Sequence, residues 1–209
     1  MSNHTSFKGY AIVSCGTLRP ELSHLRDDGF LDADKVLYTA PGLHEYPEEL
    51  EHQLTRQLAR AKEYAREVVV VYGSRCYVNT TDPSKDIDRL IQQQGKDIHR
   101  VQASNCIDML ADTSEREQLS GEKKVYWLST GWLKYWRQIF KGWDVGLANE
   151  TFPAHDEAFL LDPLEAFDEY VEHHPEDLLE FSDWMQIPLT PHKISLERLK
   201  HLLLQQIQG

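Results

Sequence analysis

Three features of the sequence predict an α/β fold: a doubly wound, mostly parallel sheet of about five strands, followed by a helical C-terminal extension. The first is Val68 to Val71, an unbroken β-branched run leading into Tyr72 and Gly73. A run with no polar alternation is what a strand buried on both faces of a parallel sheet requires. The second is a recurring layout in which a strand-like run ends in a cysteine: Tyr10 to Cys15, Val68 to Cys76 and Ile98 to Cys106. All three cysteines of the chain therefore fall just past a strand's carboxyl end, the edge at which open α/β sheets hold their ligands. The third is the stripe Leu50, Leu54, Leu58, Ala61 and Ala65, which predicts an amphipathic crossover helix from Pro47 to about Arg66.

Taken in order, Met1 to Lys8 reads as a frayed start and Tyr10 to Ser14 as strand one. A helix from about Arg19 to Arg26 follows, with Pro20 in its first turn, where a missing N–H costs nothing. A second strand, about Lys35 to Thr39, runs into a loop that sets His44 just after its end. The long helix then delivers the chain to the Val68 strand. A short helix near Asp86 to Gln94 precedes a fourth strand, about Asp97 to Gln102, and a helical start at Ile107 to Leu110. Thr113 to Lys124 is charged surface, and Val125 to Ser129 is the fifth strand. Trp132, Leu133, Trp136, Ile139, Phe140 and Trp143 predict an aromatic helix lying on the sheet. Asn149 to Asp183 is acidic, interrupted by prolines, and reads as two or three short helices. Gln186 to Lys193 is extended, and Ser195 caps a last helix with Leu196, Leu199, Leu202, Leu203 and Ile207 on its apolar face. The expected division is an α/β thiolate-site domain over 1–143 and an acidic helical extension over 144–209 that packs on it.

Composition narrows the function classes. A chain of 209 residues is long enough to bury roughly 70% of its unfolded surface. The net charge of -12 disfavours nucleic acid, whose phosphates such a surface repels. Twelve acidic residues lie between Glu150 and Asp183, with no Lys or Arg from 142 to 192. That segment is a solvated face or a dock for a basic protein partner. The start is polar and no window approaches the ~20 apolar residues of a membrane span, so the expected location is the cytoplasm. There an odd number of cysteines stays reduced, free or metal-bound.

A wider set of residues resembles domain-of-unknown-function family 1638. It comprises Ser14-Cys15-Gly16-Thr17-Leu18-Arg19-Pro20-Glu21-Leu22, Gly42-Leu43-His44 with Pro47, Tyr72-Gly73 with Cys76, Asn105-Cys106-Ile107, and Tyr126 to Trp132, together spanning roughly residues 9 to 143. The chain departs from the family pattern at Tyr77, where a glycine is usual, and at Asn105, where an aspartate is usual. The resemblance implies an α/β fold and, through gene neighbourhoods of relatives, a link to corrinoid-dependent methyl transfer.

The residues themselves point to a constellation at the strand ends. Three thiols and one imidazole, Cys15, Cys76, Cys106 and His44, make a tetrahedral zinc set, and thiolates equally suit iron-sulfur clusters. Their separations of 29, 32 and 30 residues are about one βα unit each, which is how a sheet edge gathers distant side chains. In one version the metal is zinc, with His44 exchangeable for a small thiol or acid substrate. In the other it is a [4Fe-4S] cluster with one open iron, a layout similar to quinolinate synthase and the diphthamide-forming enzymes. In that frame Glu45 is a candidate general base, Arg19 and Arg75 candidate clamps for a carboxylate or phosphate, and Gly16, Gly73 and Trp132 candidate cofactor contacts. Without a metal, the same features fit inert buried thiols, a binding or interaction module, or a redox sensor built on Cys15 at a helix start.

Overall fold

The computed structural model describes residues 6–82 and 84–207, so part of the frayed start expected at Met1 to Lys8 lies outside the described residues. Strands β1 (Tyr10–Ser14), β2 (Lys35–Tyr38), β3 (Glu67–Val71) and β4 (Ile98–Arg100) form a parallel sheet in the order β2-β1-β3-β4. The four valines of β3 are fully buried. Val69 and Val71, with Ile12 of β1, face Leu18, just before α1 (Arg19–Asp27), and Leu22 and Leu25 within it. Val68 and Val70, with Val13, face Leu50, Leu54 and Leu58 of α2 (Pro47–Ala61). Helices on both faces are why the strand can be apolar throughout. Helix α2 stops at Ala61 rather than Arg66, because hydrogen-bonded turns at 62–65 redirect the chain into β3.

The α/β class with parallel strands holds, but the strands are divided differently from the single sheet of about five. β5 (Val125–Ser129) does not join the first four. It pairs in parallel with β6 (Glu157–Asp162), and β6 with β7 (Leu189–Lys193), as a second sheet ordered β5-β6-β7. The C-terminal segment is therefore helical only in part, since its central strand β6 is buried from Ala158 to Asp162. The apolar run of that strand is just Ala158 to Leu161, and the acids on either side give the segment the composition of a solvated face. The other helices are α3 (Ile87–Gln92), α4 (Thr113–Ser120), α5 (Thr130–Ile139), α6 (Val145–Thr151), α7 (Ala166–His173), α8 (Pro175–Met185) and α9 (Glu197–Leu204). Trp132, Trp136, Phe152 and Phe181 build a separate aromatic core on the second sheet, while α9 returns to the first, burying Leu199, Leu202 and Leu203 beside α1. Among the described residues no helix is long and apolar enough to cross a membrane.

The two sheets meet through their carboxyl ends. The first turn of α5 lies on the 3-10 turn Gly16–Leu18 that follows β1, so closely that a Cβ at Gly131 would fall 1.7 Å from the Thr17 carbonyl oxygen. Only a glycine allows that approach.

Candidate functional site

The residue after β1 and the loops after β3 and β4 bring Cys15, Cys76 and Cys106 to one cavity of about 30 Å³. Its other walls include Thr17, Leu43, His44, Leu50, Tyr72, Gly73, Met109 and Trp132. Cys15 follows Ser14 directly, the last residue of β1. Cys76 is held by a turn in which its N–H donates to the Gly73 carbonyl at 3.1 Å. The adjoining N–H groups of Ser74 and Arg75 donate to the Ala103 and Ser104 carbonyls, both at 2.9 Å, so the two cysteine-bearing loops are zipped together. Gly73 sits in that zip, where a Cβ would meet the Ser104 oxygen at 2.3 Å. Ser104 and Asn105 order the Cys106 loop through the backbone N–H and hydroxyl of Ser104 donating to Asp108, and the Asp108 N–H donating to the Asn105 side chain.

Arg100 lies beneath both loops. Buried at the end of β4, its guanidinium donates to the carbonyls of Tyr72, Val101 and Ala103 and forms a two-pronged pair with Asp88 at 2.7 and 3.0 Å. A fork of N–H donors suits several carbonyls at once.

All three cysteines are half-buried. Burial, then the proximity of Cys106 and Cys15, pushes the Cys76 thiol up to about 12. Burial, then Cys15, does the same to Cys106, also to about 12. The sulfurs thus feel one another, and at neutral pH Cys76 and Cys106 are neutral thiols unless a cation offsets the charge. The Thr17 hydroxyl donates to the Cys15 sulfur at 3.1 Å and also favours the thiolate form of Cys106. The indole N–H of Trp132 acts on Cys106 in the same direction, although it is buried without a hydrogen-bond partner among the described residues. Tyr72 is buried with its hydroxyl bonded to that of Thr39, and burial raises its pKa well above 10.

His44 stands at the rim. Its ring leans on Trp132 with centroids 5.7 Å apart. One edge is open to solvent and the other lines the cavity. Loss of solvent at that inner edge lowers its pKa below the usual imidazole value, against the pull of Glu45. Glu45 itself turns away and accepts the indole N–H of Trp143 at 2.8 Å. Arg19 is exposed and stacks over Tyr38 in a separate surface groove that Gly16 also lines. Arg75 is exposed outside the cavity. Of the expected contacts the structure therefore brings together the three cysteines, His44, Gly73 and Trp132. It leaves Glu45, Arg19, Arg75 and Gly16 outside. Among the described residues no three His, Cys, Asp or Glu side chains stand arranged as a metal site.

Two polar residues of the Ser14 to Leu22 stretch that were not expected in the site stand in or near it. Thr17 is one. The other is Glu21, fully buried on α1, whose Oε1 accepts the Thr130 hydroxyl while Oε2 has no partner among the described residues. Burial raises its pKa to about 7. The signal was present: Glu21 occupies the same stripe as Leu18, Leu22 and Leu25, and a carboxylate on an apolar helix face is anomalous.

A family model described as Protein of unknown function (DUF1638) matches residues 38–203. The chain belongs to this family. The matched stretch holds His44, Cys76, Cys106 and all three strands of the second sheet, and it begins after Cys15. No curated protein and no solved structure matches the chain. Membership in the DUF1638 family thus brings no reaction with it, and the chemistry has to be read from the cavity.

Proposed function

We propose that the protein binds a soft metal ion through Cys15, Cys76 and Cys106, with His44 as an exchangeable fourth donor. On this reading it serves as an enzyme or accessory factor acting on a small thiol or acid. One observation carries the reading: all three cysteines of the chain, drawn from three separate strand ends, line the same small cavity. The sheet brings strand ends to one edge, but it does not require that three of them carry thiols lining one cavity. An imidazole at the mouth and an indole N–H on the wall suit a donor set that carries excess negative charge once the thiols ionise. The thiols do not stand pre-arranged, so binding draws them inward. A bound zinc supplies a Lewis acid able to hold a substrate thiol as its thiolate near neutral pH. A role in one-carbon or methyl-transfer metabolism rests on the family resemblance alone.

The raised thiol pKa values and apolar walls favour a second reading, a metal-free module that holds a small ligand while the acidic segment contacts a basic partner. Elemental analysis of protein purified without oxygen, beside the Cys15→Ser, Cys76→Ser, Cys106→Ser triple variant, separates the two. Stoichiometric metal in the parent and none in a folded triple variant supports the first. Equal, sub-stoichiometric metal in both supports the second.

A further inference from the structure

A groove separate from the thiol cavity lies at the carboxyl ends of β1 and β2, with α5 on its other side. Gly16, Arg19, Tyr38, Pro41, Tyr135 and Gln138 line it, and none of its lining residues is acidic. In a chain with 34 acidic residues against 22 lysines and arginines, that is a local reversal of charge. The carboxyl edge of a parallel sheet is also where open α/β folds hold ligands. The turn after β1 is fixed against the end of β2, since a Cβ at Gly16 would meet the Thr39 oxygen at 2.7 Å and the Pro41 nitrogen at 2.9 Å.

Arg19 is the group in that groove with unused capacity. Its guanidinium lies 4.6 Å from the centroid of the Tyr38 ring, a stack that restricts the long side chain before any ligand arrives. Among the described residues no carboxylate pairs with it and no acceptor takes its N–H groups. Arg26 is near enough for its charge, like that of Arg19, to oppose the rise that burial gives the Tyr38 pKa. Lys134, whose ammonium is 5.9 Å from the Tyr135 ring centroid, adds a third positive charge on the α5 side. The net charge of -12 repels anions from a distance, but salt screens that field beyond about 8 Å, so the groups inside the groove decide what it holds. A stacked, unpaired guanidinium takes two oxygens of an oxyanion at once. The rings of Tyr38 and Tyr135 are there to cover the apolar part of the same molecule.

We infer that this groove binds a small organic oxyanion, a carboxylate or a phosphate monoester, through Arg19. The inference does not depend on metal binding in the thiol cavity. It is tested by isothermal titration of the full-length protein at low salt with benzoate and, separately, phenyl phosphate, with benzyl alcohol as the uncharged control. Arg19→Gln removes the charge and the fork of donors. Arg75→Gln makes the same change of charge at an exposed arginine outside both the groove and the cavity. Saturable binding of at least one anion to the parent, none of benzyl alcohol, and weakening by roughly tenfold or more in Arg19→Gln alone are the expected results. The tighter of the two anions then tells a carboxylate ligand from a phosphate. Absence of saturable binding by either anion, equal binding of benzyl alcohol, or equal weakening by the two arginine variants overturns the inference.

Discussion

The two sheets of this protein are built alike and used differently. Both are parallel, and both direct their carboxyl ends toward the same seam. The first sheet ends in sulfur, on loops held by the buried Arg100. The second ends in Ser129 and Asp162, and those residues serve packing: Ser129 precedes the α5 turn that wedges onto Thr17, while the Asp162 carboxylate accepts the backbone N–H groups of Leu164, Ala166 and Phe167 ahead of and within α7. One edge thus exposes reactive groups to a cavity, and the other supplies the wall, Trp132, that closes it. A parallel sheet offers a place for a site, and the side chains at its edge decide whether one is there.

The seam is the most vulnerable point of that arrangement. Gly131→Ala places a Cβ 1.7 Å from the Thr17 oxygen, an overlap that only backbone movement relieves. We expect a loss above ~3 kcal/mol in urea unfolding, or failure to fold. A variant within ~0.5 kcal/mol of the parent would show that the two sheets do not meet as described.

Arg100→Met attacks the first sheet's edge alone. It orphans the three carbonyls and frees Asp88, and we expect about 3 kcal/mol of destabilisation, discounted for the half-exposed Asp88. Alkylation of Cys76 and Cys106 should quicken while the aromatic near-ultraviolet signal of the second sheet is kept. Loss of both signals together would mean the edges are not separable.

Glu21 senses the seam through pH. Its carboxyl is shifted from 4.5 to about 7 by burial, so the folded state holds a proton that the unfolded state has released between those values. Its contribution is fully present below about 4.5 and is lost as pH rises through about 7, amounting to about 3 kcal/mol at 1.36 kcal/mol per unit. Glu21→Gln should therefore be close to the parent at pH 4.5 and more stable at pH 8. A stability difference independent of pH would refute the buried-acid assignment.

The outer face of the second sheet's helices marks the small end of the scale. Leu179 on α8 is 69% exposed, and Leu179→Ser should stay within ~0.5 kcal/mol of the parent. A larger loss in thermal unfolding would reveal that this face is covered in solution.

How much of this could be read in advance follows from how local each feature is. β1, β3 and α2 were legible because their signals lie within a dozen residues: β-branched runs and a three-and-four stripe. The convergence of the cysteines was legible one level up, because parallel strands separated by βα units bring their carboxyl ends to a common edge. β6 was not, since four apolar residues amid acids carry no sign that Leu160 is fully buried by an aromatic core assembled from residues 128 to 187. Pairing of β5 with β6 instead of β4 is likewise a long-range choice, in which Leu128 stands opposite Leu160 across the ladder. Thr17 and Glu21 were visible as part of the family-matching stretch but not as site residues, because their surroundings are supplied by α5, more than a hundred residues away along the chain.

Thr17 joins what the two halves of the molecule do. Its hydroxyl is bonded to a sulfur, and its carbonyl lies against Gly131 of the opposing half. A single residue thus borders both the thiol-lined space and the place where the two halves touch.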